Sequence, residues 1–271
     1  RRWSNVAPLR DDRSQAVLGD LRVSVIMPVL NEAEGLAVTL PLLPRYASEV
    51  IVVDGGSADA SREVVSEIRP DAAFLEQDGR GKGNALKAGI RVATGDIIVT
   101  MDADGSMDPG DIDAAIVLLL EGCHFVKGSR CLPGGGSDDF TAVRKAGNAF
   151  LTTVTNRAVG RRFTDITYGF NAYWRAVETL VHDLDEGFEF EIQLAVRAAR
   201  SGLRTAEVPC YEATRVGGAS KLHAVKDGVR ILRSIVNEAR AGEAHLWHLP
   251  DPVRVTGDVD LALIADRDAT G

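Results

Sequence analysis

Short apolar runs alternate with amphipathic helical stretches along the first half of this chain. Val23-Ser-Val-Ile-Met-Pro-Val29 is the first run, and its near-continuous apolar character predicts a strand buried on both faces. Asn31-Glu-Ala-Glu-Gly-Leu follows, with Asn31 placed to cap a helix over 33–44. Val50-Ile-Val-Val53 predicts a second strand, Asp54-Gly-Gly-Ser a turn, and Ser57–Glu67 a helix that turns Ala58, Val64 and Val65 to a core. The alternation continues through a weak strand at Ala73-Phe-Leu75, a glycine-rich loop Gly79–Gly83 and a helix Asn84–Ala93. A strand at Asp96–Thr100, a helix over 109–121 and a strand over 124–128 complete it. This order predicts an α/β fold, with a parallel sheet and helices on both faces. Ligands bind such sheets outside the carboxyl ends of the strands. Asp54, Asp78, Asp102 and Asp104 each follow a predicted strand and so converge on one edge.

The second half is less regular. It predicts helices over 142–159, 188–201 and 224–240, and a late strand Ala206–Cys210. Pro209 marks that strand as an edge or an end. Residues 1–20 read as a flexible extension and 246–271 as a tail. Residues 21–245 read as one domain, with a nucleotide-sugar and metal half (21–130) and an acceptor half (131–245).

Composition narrows the function. Of 271 residues, 45% are hydrophobic and 26% charged, enough for a substantial core. Lys and Arg number 31 against 39 Asp and Glu, and this net charge of −8 argues against a nucleic-acid binder. The three cysteines, Cys123, Cys131 and Cys210, form neither a disulfide framework nor a metal cluster and suit a reducing compartment. No apolar run approaches the roughly 18 residues of a transmembrane helix, and the N-terminus lacks a signal-like run. The expected location is cytoplasmic, with any membrane contact peripheral, at the inner face.

The sharpest chemical feature is Asp102-Ala-Asp104 after an apolar strand. Two carboxylates at i, i+2 can share one hard divalent cation with substrate phosphates. Asp54 before Gly55-Gly56-Ser57 can accept hydrogen bonds from a base or ribose, or simply order its own turn. Asp78-Gly-Arg-Gly-Lys-Gly-Asn opens a helix, and its amides, Arg80 and Lys82 can meet a pyrophosphate. It is neither a Walker A loop nor a dinucleotide fingerprint.

Together these strings resemble family 2 of the inverting glycosyltransferases. The matching strings are Val25-Ile-Met-Pro-Val-Leu-Asn-Glu, Val53-Asp-Gly-Gly-Ser-Ala-Asp, Gly81-Lys-Gly-Asn-Ala-Leu and Met101-Asp-Ala-Asp-Gly-Ser. They continue in order through Lys127-Gly-Ser-Arg130, Asp165-Ile-Thr-Tyr-Gly-Phe, Gly187-Phe-Glu-Phe-Glu, Glu207-Val-Pro and Arg215–Lys221. Within the family, the chain looks most like the polyprenol-phosphate sugar synthases of the dolichol-phosphate mannosyltransferase type. The resemblance implies the GT-A fold, a Rossmann-like, mostly parallel sheet. It implies hexose transfer from a UDP- or GDP-sugar, with a lean to UDP, onto a polyprenyl phosphate.

Carried onto these residues, the resemblance places Pro28, Glu32, Asp54, Asp78 and Lys82 at the nucleotide sugar. It places Asp102 and Asp104 on Mg²⁺ or Mn²⁺, and Arg130 at the acceptor phosphate with Arg144, Arg215 and Lys221 as further contacts. Ser106 stands where such synthases often carry a Gln, which puts a third ligand there in question. Relatives that accept a hydroxyl use a carboxylate near Glu189 or Glu191 as a base; these two lie about 200° apart on a helix, so both are not expected to point inward. Two other readings stay open: transfer to a soluble hydroxyl with such a base, and a nucleotide-binding partner without catalysis. Segments 142–163 and 221–240 mix bases with apolar residues and suit either an anionic membrane surface or the core.

Overall fold

A computed structural model of the chain describes residues 18–217 and 224–240. Most of the expected extension, Lys221 and the 246–271 tail lie outside the described residues. The strands are β1 (Val23–Val29), β2 (Glu49–Asp54), β3 (Ala73–Glu76), β4 (Ile97–Thr100), β5 (Phe125–Ser129), β6 (Gly136–Ser137), β7 (Asn171–Trp174), β8 (Thr205–Pro209) and β9 (Tyr211–Glu212). The helices are α1 (Ala33–Thr39), α2 (Ser61–Ile68), α3 (Lys82–Val92), α4 (Asp111–Leu120), α5 (Ala142–Val159), α6 (Glu189–Arg200) and α7 (Ala224–Arg240).

Seven strands form one sheet in the order β3-β2-β1-β4-β7-β5-β8, and β6 and β9 form a separate parallel pair. β7 runs antiparallel to both neighbours; the other pairings in the large sheet are parallel. Strand alternation sorts the core into two layers. Val23, Val25, Met27 and Val29 of β1 face Leu36 of α1, Val65 of α2 and Ile116 of α4. Ile26 faces the opposite layer, with Leu86 of α3, Leu151 of α5, Phe190 of α6 and Ile235 of α7. Burial on both faces explains why β1 reads as a continuous apolar run. Among the described residues, no helix is long and apolar enough to cross a membrane.

Several boundaries differ from expectation for local reasons. The first helix stops at Thr39 and tightens into a 3₁₀ turn at Leu40–Leu42, because Pro41 cannot supply the next helical N–H. Asn31 does not cap α1. It sits at φ 54°, in the left-handed region, and its carboxamide oxygen accepts from the Ala58 N–H at 2.7 Å. The cap comes from across the fold instead: Asp59 accepts from Ala33 N at 2.9 Å and Ser61 Oγ from Glu32 N at 3.2 Å. The second helix therefore starts at Ser61, after that exchange, and not at Ser57. β7 was not anticipated, because Asn-Ala-Tyr-Trp is too short to show a strand period. The buried Lys127 on β5 holds it in place, donating to Tyr168 O at 2.6 Å and to Asn171 Oδ1 at 3.3 Å. Pro209 ends β8 at the edge of the sheet, as its position implied.

Candidate active site

A cavity of about 510 Å³ opens beyond the carboxyl ends of β1 and β4. Pro28, Glu32, Lys82, Asp102 and Asp104 line it, together with Arg130, Arg144, Glu191 and Arg215. Val143, Gly147, Leu151 and Ile231 add an apolar part to the same lining.

The aspartate pair sits on a turn that follows β4, with Gly105 at φ 77°. Asp104 is buried and its Oδ1 accepts from Ser106 N at 2.9 Å. Gly35 of α1 packs backbone to backbone on this turn: a Cβ there would lie 2.6 Å from Asp104 Cα. Each carboxylate faces a cation. Lys82 Nζ is 2.5 Å from Asp102, and Arg215 Nη2 is 2.8 Å from Asp104, with its Nη1 3.3 Å from Glu32. Two hard oxygen donors already holding cationic groups fit a divalent ion of the Mg²⁺ or Mn²⁺ class. No group of three or more His, Cys, Asp or Glu side chains suited to a metal occurs among the described residues, so other ligands would come from substrate and water.

The glycine-rich loop works through packing. Gly81 stands at φ 100°, and a Cβ on it would strike Glu186 O; one on Gly83 would lie 2.7 Å from Asp185 O. Asn84 N donates to Glu186 O at 3.1 Å. The loop thus presses onto the lead-in to α6 and brings Lys82 within 3.0 Å of Glu191. Burial pushes the Lys82 ammonium down, but Asp102 and Glu191 outweigh it and hold its pKa above the usual lysine value. Burial raises the Glu191 carboxyl, and Lys82 offsets only part of that. Glu189 points elsewhere, accepting from Arg230 of α7 at 2.6 Å. Both glutamates are buried, which corrects the expectation that only one points inward. α6 is covered on more than one side, by α3, β5 and α7, so opposite directions both lead inward.

The remaining predicted residues divide. The Asp54 carboxylate is engaged by Ser57 Oγ at 2.5 Å and by the N–H groups of Gly56 and Ser57, so it orders its own turn; Gly55 lines the cavity. Asp78 is exposed, paired with Arg91 at 3.2 Å, and Gln77 lines the cavity in its place. Arg130 borders the cavity but donates to Asp165, Thr167 and Glu212. Arg144 borders it with a partner in Asp139. Lys221 lies outside the described residues.

Two glycines matter to the site beyond what the motifs conveyed. Gly35 carries a signal in hindsight, since a glycine inside a helix is unfavourable by about 1 kcal/mol unless close packing needs it. Gly169 lies under the Lys82–Asp102 pair: a Cβ would sit 2.8 Å from Lys82 Nζ and 3.0 Å from Asp102 Oδ2. Gly169→Ala is therefore expected to displace that pair and lower turnover by about 10- to 100-fold. The thermal midpoint should barely move, because flexible side-chain ends absorb the clash. Kinetics beside a thermal melt check this, and unchanged turnover would remove Gly169 from the site.

The family model described as Glycosyl transferase family 2 matches residues 24–180. An undecaprenyl-phosphate mannosyltransferase of Micrococcus luteus is 33% identical over 240 residues, spanning 84% of this chain and 96% of that protein. Glycosyltransferase AglJ of Haloferax volcanii is 28% identical over 80% of this chain and 72% of its own length. Among solved structures, glucosyl-3-phosphoglycerate synthase from Mycobacterium tuberculosis in complex with UDP superposes with a TM-score of 0.65 at 22% identity, covering 83% of this chain and 82% of that one. The same enzyme with Mn²⁺, UDP-glucose and phosphoglyceric acid gives 0.63 at 20% identity over the same shares. These last two are likenesses of fold.

Proposed function

The chain belongs to glycosyl transferase family 2 and is a glycosyltransferase of GT-A fold, and from that membership we propose that it transfers a hexose from a nucleoside diphosphate sugar to a polyprenyl phosphate, inverting the anomeric centre. The observation that carries this reading is the cavity itself. Its lining combines a group of ion-paired charges, Glu32, Lys82, Asp102, Asp104, Glu191 and Arg215, with apolar Val143, Leu151 and Ile231. A diphosphate sugar suits the charged part and the start of an apolar acceptor chain the apolar part. The Micrococcus relative, named for an undecaprenyl-phosphate acceptor, supports the same assignment.

In this reading Lys82, the first residue of α3, lies beside the diphosphate with Asp102. Asp102 and Asp104 would hold Mg²⁺ or Mn²⁺, which would supply positive charge to offset that on the departing diphosphate. An acceptor phosphate oxygen attacks the anomeric carbon, the bond from that carbon to the diphosphate breaks, and its electron pair leaves with the nucleotide. A phosphate is already anionic and needs no base. Glu191, bound to Lys82 at 3.0 Å, accordingly positions that lysine. Arg144 and Arg215 border the path of the acceptor phosphate, and Arg130 shapes its wall.

A polyprenyl chain stays near the bilayer, since each CH₂ exposed to water costs about 0.8 kcal/mol. The surface beside the cavity suits such docking. Val143 and Phe150 of α5 and Val229 of α7 are exposed, with Lys145, Arg157, Arg161, Arg162 and Arg233 exposed in the same two segments. The inner stripes of the two helices, through Leu151, Ile231 and Ile235, face the core.

A transfer screen tests the proposal. Radiolabelled UDP- and GDP-hexoses are offered with Mn²⁺ or Mg²⁺ to polyprenyl phosphate in anionic liposomes and to soluble hydroxyl acceptors. Label is expected to move into the lipid phase. Label moving only to a soluble hydroxyl would favour the reading with a glutamate base, and donor binding without transfer or hydrolysis a non-catalytic role.

A further inference from the structure

The carboxylates that would take a divalent cation are engaged by two different cations. Lys82 holds Asp102 and Glu191 and is nearly enclosed, so it is fixed in the wall. Arg215 differs: its side chain is 29% exposed, and it reaches Asp104 and Glu32 from the segment that follows β9. That segment is clipped onto the aspartate turn by its backbone. Ala213 N donates to Ser106 O at 2.8 Å and Val216 N to Asp104 O at 2.9 Å. Val216 also closes over Gly105, where a Cβ would lie 2.9 Å from its Cγ2. The clip holds the Arg215 backbone beside the aspartates and leaves the guanidinium partly accessible to the cavity it lines.

A divalent cation arriving alone must displace this guanidinium from Asp104 and leave it close by with one partner fewer. A cation arriving with a diphosphate meets no such obstacle, because the phosphate oxygens give the guanidinium a new partner of matching fork geometry. We propose that Arg215 is the positioning residue that couples metal to donor: it neutralises Asp104 and Glu32 in the donor-free protein and passes to a diphosphate oxygen when donor and cation enter together. This inference rests on the donor-site reading above and moves Arg215 from the acceptor phosphate to the donor. Linkage makes the coupling reciprocal, so the nucleotide also binds more tightly with metal than without it.

Direct Mn²⁺ binding, followed by the paramagnetic signal of the free ion, tests this without turnover. Unliganded wild type is expected to bind Mn²⁺ weakly, and UDP to strengthen that binding. Arg215→Gln frees Asp104 and is expected to bind Mn²⁺ alone up to about fivefold more tightly, the scale of one partly screened ion pair, with most of the UDP effect lost. Arg215→Lys retains the positive charge and should behave as wild type toward Mn²⁺ alone. Equal or weaker Mn²⁺ binding by folded Arg215→Gln overturns the inference. So does an Arg215→Gln chain that fails to fold while Arg215→Lys folds, since Arg215 would then belong to the framework. If wild type binds neither UDP nor Mn²⁺, the donor-site reading itself falls. If it binds both with undiminished coupling in Arg215→Gln, only the role of Arg215 falls.

Discussion

Replacing Asp104 with asparagine is expected to lower kcat/KM for sugar transfer by about 10²–10³-fold, the range seen when one preorganised contact to developing charge is removed. The substitution is close to isosteric. Asparagine keeps the oxygen that accepts from Ser106 N, and Gly35 still fixes the turn from behind. What it removes is one of two negative charges at the proposed cation site. The lost pairing with Arg215, whose side chain is 29% exposed, is worth at most about 1 kcal/mol after solvent screening. The thermal midpoint should therefore fall by no more than about 2–4 °C. Chelation of wild type with EDTA should reproduce the loss, and added Mn²⁺ or Mg²⁺ should restore wild type but not the variant. Full turnover in a chelated sample would show that Asp102 and Asp104 serve another purpose.

The contrast between residues read well and read poorly in the sequence has a physical basis. The alternation of apolar runs and amphipathic stretches located β1, β2, β4 and β5 and their helices to within a few residues, because a sheet buried on both faces leaves unbroken apolar runs. The Asp102–Asp104 pair was legible because it directly follows such a run. β7 was not, since four residues hold too little periodicity and its pairing comes from β4 and β5, far away in the chain. Asp54 and Asp78 also fall at strand ends, but position along the chain does not reveal partners. Ser57 and Gly56 occupy the first, and Arg91 the second. Glycine-rich loops invite a phosphate-cradle reading, yet Gly81 and Gly83 are required by the close approach of Asp185–Gly187, about a hundred positions along the chain. Gly35 and Gly169 are tertiary in the same way, each small because a functional backbone or side chain occupies the space of its Cβ.

Replacing Arg130 with alanine is expected to act first on stability, although the resemblance placed this residue at the acceptor phosphate. The guanidinium donates to Asp165 twice, at 2.7 and 3.1 Å, and to Thr167 at 2.9 Å and Glu212 at 3.0 Å. It also stacks over Phe140 at 4.2 Å and Tyr168 at 4.9 Å. Asp165 is fully buried. Burial pushes its carboxyl up, but the hydrogen bonds and charge of Arg130 outweigh that and hold its pKa below the usual aspartate value. Removing the arginine leaves a buried carboxylate without its main partner, which destabilises by about 3–5 kcal/mol and lowers the thermal midpoint by roughly 6–20 °C. The pH dependence carries the sign of the lost pair. In wild type, this depressed pKa contributes stability above the unfolded value near 3.9, lost as pH falls through the folded pKa. In Arg130→Ala, burial acts with less opposition, the folded pKa rises, and folding takes up a proton. The variant then gains on wild type as pH falls from 7 toward 5. Melts at the two pH values check the direction, and adding Asp165→Asn should recover part of the loss by removing the stranded charge. Arg130→Ala with an unshifted midpoint and a raised acceptor KM would return Arg130 to the acceptor and refute its role in joining β5, the segment before β7, and β9.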